Sequence, residues 1–142
     1  MTSLNIRPFL EQDEAAVIAL WHDCQLTRPW NDPRKDVARK LAVQREWFLV
    51  GEEGGRIVAS VMAGYDGHRG WVNYLAVDPA TRKEGRGRAL IAEVERLLHA
   101  AGCPKINLQI RTTNAGVIEF YRRLGYGQDD VVSFGRRLVS DE

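Results

Sequence analysis

Around Gly87 the apolar residues of this chain change period, and the change constrains the fold more than any other feature. Trp71–Val77 reads as a strand that Pro79 stops, after which Leu90, Val94, Leu97, Leu98 and Ala101 form one helical stripe, closed by Gly102 and Pro104. Ile106, Leu108 and Ile110 then alternate with Asn107, Gln109 and Arg111, which predicts a half-buried strand over Lys105–Arg111. A strand, a helix and a strand in that order make a right-handed parallel crossover. Upstream the connections are too short for a crossover. Trp47–Glu52 and Arg56–Tyr65 flank Glu53–Gly54–Gly55, and Asp66–Gly70 turns the chain back into Trp71, so these strands are antiparallel neighbours. The sheet is mixed.

The remaining elements follow from caps and spacing. Leu4–Phe9 predicts a first strand, and Val17, Leu20, Trp21 and Cys24 predict a helix with Asp13 as its N-cap. Arg28–Pro33 is a loop ending in a helix start: Asp32 can cap, and Pro33 suits the first helical position because its missing N–H needs no partner there. Val37 and Leu41 give that helix a buried side. Asn114 can cap a last helix carrying Val117, Phe120, Tyr121 and Leu124 on one side, Gly125 ends it, and Val131–Leu138 reads as a final strand. The order is β-α-α-β-β-β-α-β-α-β, an α/β (α+β) arrangement with helices on both faces of the sheet. With no linker or repeat, residues 1–142 are expected to form a single domain.

Composition excludes several function classes. Lys and Arg number 20 against 19 Asp and Glu, so a nucleic-acid partner held by phosphate neutralisation is not expected. No apolar run approaches a membrane span, and Met1–Leu10 lacks the apolar stretch of a signal peptide. Cys24 and Cys103 form no CxxC pair, which fits two reduced thiols in the cytoplasm. His22 and Cys24 alternate within a helical stretch and so point apart. Without HExxH or paired-cysteine spacing no metal site is expected, and no GxSxG marks a hydrolase.

The strongest chemical feature is the segment from Val77 to Leu90, where a strand ends, a glycine-bearing loop follows and an amphipathic helix starts. The first N–H groups of a helix lack intrahelical partners and carry partial positive charge, so this turn can hold an anion. Gly85 and Gly87 remove Cβ atoms that would keep a diphosphate from the backbone, and Arg82, Lys83, Arg86 and Arg88 add charge. It is not a Walker A loop, because GxxxxGK[ST] is absent; it is not a dinucleotide fingerprint, because Leu90 stands where the third glycine belongs. Taken alone, the segment also fits a glycine-softened helix entry with solvated arginines.

In context it resembles the phosphate motif of the GNAT superfamily of acetyl-CoA-dependent N-acetyltransferases, [QR]-x-x-G-x-[GA], matched by Arg82, Gly85 and Gly87. The preceding phrase Tyr74–Pro79 is similar to theirs, as are Asn114, Val117, Ile118, Phe120, Tyr121, Leu124, Gly125 and Tyr126 downstream. Arg28–Pro33 and Gly64–Gly70 further resemble the YpeA-type branch of small bacterial acetyltransferases. The resemblance covers essentially the whole chain. It implies a GNAT-like fold, with a mostly antiparallel mixed sheet of about six or seven strands and about four helices.

It also implies roles. Strand Tyr74–Val77 would splay from Ile106–Ile110, with Leu75 and Val77 offering backbone groups to the pantetheine arm of acetyl-CoA. An N–H near Leu75 or Ala76 would polarise the thioester carbonyl. Gly85–Arg88 amides would hold the diphosphate, and Asn114 matches an asparagine near the arm as well as being a helix cap. Tyr121 matches the tyrosine that protonates the departing thiolate; a phenol with an ordinary pKa of about 10 is a proton donor at neutral pH. Packing alone would equally place it on its apolar helix face.

The glutamate that serves as base in some relatives is replaced by Gln109, and an amide cannot act as one. His68, Asp66 and Asp32 remain; His68 is the candidate base, with ordered water as the alternative. On the acceptor side, Trp30 could wall the pocket and Asp32 or Asp66 could hold a cationic amine, although Asp32 also caps a helix and Asp66–Gly67 is turn chemistry. The implied activity is acetyl transfer to a primary amine of a small molecule or protein, in a chain that can form a homodimer. A non-catalytic acetyl-CoA sensor is the alternative.

Overall fold

The computed structural model describes residues 3–81 and 84–142. The glycine turns act as expected: Phe48–Glu53 (β2), Arg56–Tyr65 (β3) and Gly70–Val77 (β4) are consecutive antiparallel strands, with Gly54 and Gly55 both at positive φ between the first two. Asn5–Pro8 (β1) adds antiparallel to β2, and Ile106–Leu108 (β5) adds parallel to β4, giving the order β1-β2-β3-β4-β5. The α-helices are Glu14–Asp23 (α1), Pro33–Leu41 (α2), Arg86–Ala100 (α3) and Ala115–Arg123 (α4). Two compact units result: one runs through Leu108 and includes Asp141–Glu142, the other is Gln109–Ser140.

Within the first unit the sheet carries helices on both faces. Successive strand residues point to opposite sides. Phe48, Val50, Met62 and Ala76 cluster with Val17, Leu20 and Trp21 of α1 and Val37 of α2. On the opposite face Gly51 and Gly70 lie against α3. A Cβ at Gly51 would meet Leu90 Cδ1 at 3.3 Å and Leu4 Cδ1 at 2.9 Å, and one at Gly70 would meet Leu98 Cδ1 at 2.9 Å and Cys103 Sγ at 2.8 Å. These glycines let α3 approach its sheet. Trp21 anchors the other layer: it is fully buried, its Nε1 donates to Ser60 Oγ at 3.0 Å, and its ring stacks near Phe48.

Caps explain two helix starts. The Asp32 carboxylate accepts the Arg34 N–H at 2.9 Å with Pro33 at the first position, and Asn114 Oδ1 accepts the Val117 N–H at 3.3 Å. Asp13 is different. It precedes α1 but makes no cap bond there; its carboxylate instead accepts the Leu10 N–H at 2.8 Å and pairs with Arg7. Arg7 holds the Asp13 carboxyl below the usual range.

Two strand expectations need correcting. Among the described residues the sheet has five strands rather than six or seven, and Val131–Leu138 forms none. Val131, Val132, Phe134 and Leu138 are all exposed, and an apolar run without a paired edge does not make a ladder. The strand expected over Lys105–Arg111 is only Ile106–Leu108. Its ladder pairs Gly70, Trp71 and Val72 of β4 and stops there, where β4 changes course.

Candidate active site

That change of course is a bulge. Met62 pairs with Asn73 and Ser60 with Ala76, so Tyr74 and Leu75 together oppose Val61 alone. Tyr74 takes a φ of 53°, a left-handed conformation that costs an aromatic residue about 1–3 kcal/mol. The bulge reverses the phase of the strand. Gly70 and Val72 face α3, yet two residues further on Tyr74, and then Ala76, belong to the α1 layer.

The backbone is re-phased as well. Asp78 N–H donates to the Val58 carbonyl at 2.8 Å, which marks Ala59 and Val77 as a non-hydrogen-bonded pair whose own amide groups face away from β3. The adjacent pair, Ser60 and Ala76, is then hydrogen-bonded, so the Ala76 N–H is engaged by β3. Of the two N–H groups expected near the thioester, that of Ala76 thus turns toward β3. Because β5 ends at Leu108, no strand among the described residues pairs with Asn73–Val77 on the outer edge of β4. The half-buried Cys24 thiol, at the end of α1, donates to the Val77 carbonyl at 3.2 Å.

Past the end of β4 the Asp78 carboxylate accepts the Ala80 N–H at 3.0 Å, and the chain turns toward α3. Gly85 precedes α3 with φ 82° and open space where a Cβ would stand, so its glycine serves the backbone conformation and keeps the helix mouth clear. Gly87 is buried in the first turn and Arg88 is exposed. Arg86 departs from expectation. Its guanidinium is buried, donates to Glu53 through Nε at 3.0 Å and to the Thr81 carbonyl at 2.6 Å, and pairs with Glu84. It fastens α3 to the sheet, and only its backbone N–H remains to face an anion. Arg82 and Lys83 lie outside the described residues.

In the second unit Tyr121 is buried, with Phe120 and Tyr126 meeting its ring edge-on at centroid distances of 5.0 and 5.4 Å. Burial pushes its phenol above the ordinary value, so it keeps its proton at neutral pH. Asn114 caps α4, and Gln109, exposed, donates to Ser133 Oγ.

The acceptor-side candidates do not converge. Asp66 builds its turn: Oδ1 accepts the Arg69 N–H at 2.7 Å and the His68 N–H at 2.8 Å, and Oδ2 accepts Trp71 Nε1 at 3.3 Å. Those backbone bonds hold its carboxyl below the usual range. His68 exposes its imidazole from the same turn. A groove of about 510 Å³ lies along the loop between α1 and α2, lined by His22, Thr27, Arg28, Asn31, Asp32 and Asp141 among others. Asp32 is thus in the groove, while Trp30, exposed, and Asp66 are not among its lining residues. Among the described residues no metal-ligating cluster exists, and no helix is long and apolar enough to cross a membrane.

Sequence reasoning missed one contact altogether. The Tyr74 hydroxyl donates to Asp36 Oδ2 of α2 at 2.6 Å, and its ring stacks on Trp21 at 4.0 Å. No spacing pattern announces a bulge, so nothing in the chain marked this pair.

A strand that bulges away from its parallel neighbour, followed by a glycine-started helix, is the arrangement to set against known proteins. The sequence profile of the Acetyltransferase (GNAT) family matches residues 15–126. The chain belongs to the GNAT acetyltransferase family. An acetyltransferase of Yersinia enterocolitica is 48% identical over 139 residues, covering 98% of this chain and 99% of that protein. One from Pectobacterium atrosepticum is 49% identical over 138 residues, covering 97% and 98%. Among solved structures, the aminoglycoside N-acetyltransferase AAC(6')-Iy in complex with CoA shares the fold at a TM-score of 0.75 and 17% identity, over 98% of this chain and 97% of that one. Ard1 from Thermoplasma volcanium does so at 0.70 and 24%, over 86% and 81%. This GNAT acetyltransferase is therefore an enzyme of the acyltransferase class, on a mixed α/β fold.

Proposed function

We propose that this acetyltransferase moves the acetyl group of acetyl-CoA to a primary amine of a small molecule or protein, by direct attack within a ternary complex. The observation that carries the reading is the bulged edge of β4, where the strand leaves its ladder with β5 after Val72 and carries Leu75 past the last paired residue. An extended chain with alternating amides, such as a pantetheine arm, can bond there as a strand would. The first turn of α3 supports the same reading: Gly85 keeps its mouth open, and Gly85, Arg86, Gly87 and Arg88 present backbone N–H groups to a diphosphate, with Arg88, Arg82 and Lys83 supplying charge.

Each group then has a task. The Leu75 N–H bonds the thioester oxygen as negative charge develops on it. The amine nitrogen forms a bond to the acetyl carbon, the carbon–sulfur bond breaks, and Tyr121 gives its proton to the leaving thiolate. The attacking amine loses its proton to ordered water or to His68; the Tyr74 phenol, pushed up by burial, is not a base. Amines are the acceptor class in this reading, and aminoglycosides are the substrates that the name of AAC(6')-Iy records for that protein. Asp32 in its groove is the acceptor-side carboxylate with the better claim, ahead of Trp30 and Asp66. Residues 1–142 act as one domain, in the cytoplasm, without nucleic acid or membrane, and two copies can pair.

Titration calorimetry of acetyl-CoA into the purified protein, beside a Gly85→Val, Gly87→Val double variant, tests this. Micromolar binding by the parent, lost in the variant, is the expected result, and thiol release with a panel of amines then finds the acceptor. No binding by the parent would sink the proposal. Binding without turnover on any amine would favour the sensor alternative.

A further inference from the structure

We infer that Tyr74 and Asp36, seated on Trp21, form a clamp that holds β4 in its bulged register and so selects which backbone groups the strand offers at its outer edge. The inference rests on the acetyltransferase reading only for its catalytic consequence; the clamp itself is a statement about the strand.

The argument begins with alternation. In a regular strand Gly70, Val72, Tyr74 and Ala76 would share one face, toward α3, and would share one direction for their amide groups. Gly70 sets that direction, because its N–H donates to the Lys105 carbonyl at 2.8 Å, on the β5 side. Continued without a bulge, the strand would carry the amides of Tyr74 and Ala76 outward and return those of Leu75 and Val77 to β3. The bulge inverts this after Asn73: Ala76 bonds Ser60, and Val77 faces outward.

Nothing in the backbone alone favours the inversion, since Tyr74 has to adopt φ 53°. Its side chain provides the compensation. The ring lies on Trp21 at 4.0 Å with the planes 15° apart, and Trp21 is itself fixed by Ser60. The hydroxyl donates to Asp36 Oδ2 at 2.6 Å, while Asp36 Oδ1 accepts from Arg39 at 3.0 Å. All these partners lie on the α1 and α2 side of the sheet. A regular register would point Tyr74 to the α3 side, where none of them is. The contacts therefore exist only in the bulged state, and Tyr74 and Asp36 are positioning residues for the Leu75 N–H.

Amide hydrogen exchange on the full-length protein without ligand tests the clamp directly. In the parent, Ala76 is expected to be protected by Ser60 and Leu75 to exchange fast. In Tyr74→Ala, protection at Ala76 should fall about tenfold or more relative to a central β2 amide such as Val50, with Leu75 slowing as it turns toward β3. Should that variant not fold, Tyr74→Phe and Asp36→Ala, which keep the ring stack, should each shift the same two amides partway and by no more when combined. Asp36→Asn, which keeps an acceptor oxygen, should restore the parent pattern. In acetyl transfer the Tyr74→Phe and Asp36→Ala changes should lower kcat by about tenfold with KM for acetyl-CoA within about twofold. Unchanged Ala76 and Leu75 exchange in Tyr74→Ala, Tyr74→Phe and Asp36→Ala would overturn the clamp. If the parent failed to bind acetyl-CoA, the proposed function would fail while the ligand-free exchange pattern still judged the clamp.

Discussion

β3 and β4 each outrun a neighbouring strand, and the protein treats the two edges in opposite ways. β3 extends past β2 by Ala63, Gly64 and Tyr65, since its pairing with β2 ends at Met62. That edge is closed by side chains. Lys40 Nζ donates to the Ala63 carbonyl, Gln44 Nε2 donates to the Tyr65 carbonyl at 2.9 Å, and the Tyr65 N–H donates back to Gln44 Oε1 at 3.0 Å. Gln44 adopts φ 51° beside them, and Lys40 is half-buried. β4 extends past β5 by Asn73–Val77, and there the chain accepts strain at Tyr74 in an arrangement that keeps a neighbouring strand away. Unpaired edges invite unwanted pairing and are normally blunted. A protein that closes one edge at a cost, and strains its backbone along another, treats a structural margin differently from the edge we propose to hold the cofactor.

The sharpest way to break this contrast is to delete one N–H from each edge. Replacing Leu75 by its α-hydroxy analogue turns that amide into an ester. The expected outcome is a loss of about 100-fold or more in kcat, the scale of one oxyanion donor, with unfolding free energy within about 0.5 kcal/mol of the parent. The same replacement at Tyr65 should reverse the pattern, lowering stability by about 1 kcal/mol and leaving kcat alone. Equal effects at the two positions would erase the distinction.

A coarser change addresses the closed edge alone. Gln44→Ala leaves both backbone groups of Tyr65 without their side-chain partner. Urea denaturation should show a loss of about 2 kcal/mol, softened where water replaces the amide, while calorimetry finds acetyl-CoA affinity unchanged. A weakened affinity with intact stability would place Gln44 at the working surface instead.

The two edges also differ in how far the sequence revealed them. The hairpins, the Asp32–Pro33 helix start and the Asn114 cap were legible, because glycine turns and capping side chains act within a few residues of themselves. The glycine entry to α3 was legible for the same reason. The bulge was not, since Tyr74 is an ordinary strand former by type and its left-handed φ is imposed by Trp21 and Asp36, 53 and 38 positions away. Arg86 shows the same limit: a count of positive charge around Gly85 includes it, yet Glu53 turns it inward. Val131–Leu138 shows the converse, where a strand-like apolar run has no ladder. Asp66 was rightly suspected of turn chemistry, and the His68 and Arg69 amides bear that out.

The smallest expected effect lies in Lys40, and it measures what closing an edge costs. Burial lowers the Lys40 ammonium below its ordinary value, only partly offset by Glu46. In the unfolded chain a lysine titrates at about 10.4. Between the lowered folded value and that pH, the unfolded chain holds a proton that the folded protein has already released, so this group makes stability rise with pH across the window. Below the window both states are protonated, and the penalty for burying the charge is constant. Lys40→Met removes the group while keeping much of its apolar stem. The difference in unfolding free energy, parent minus variant, should therefore increase from neutral pH toward pH 10, with the tyrosines cancelling because both proteins carry them. A flat or falling difference would mean that the ammonium at the Ala63 carbonyl is as well solvated as in water, and that the closed edge is closed at no electrostatic cost.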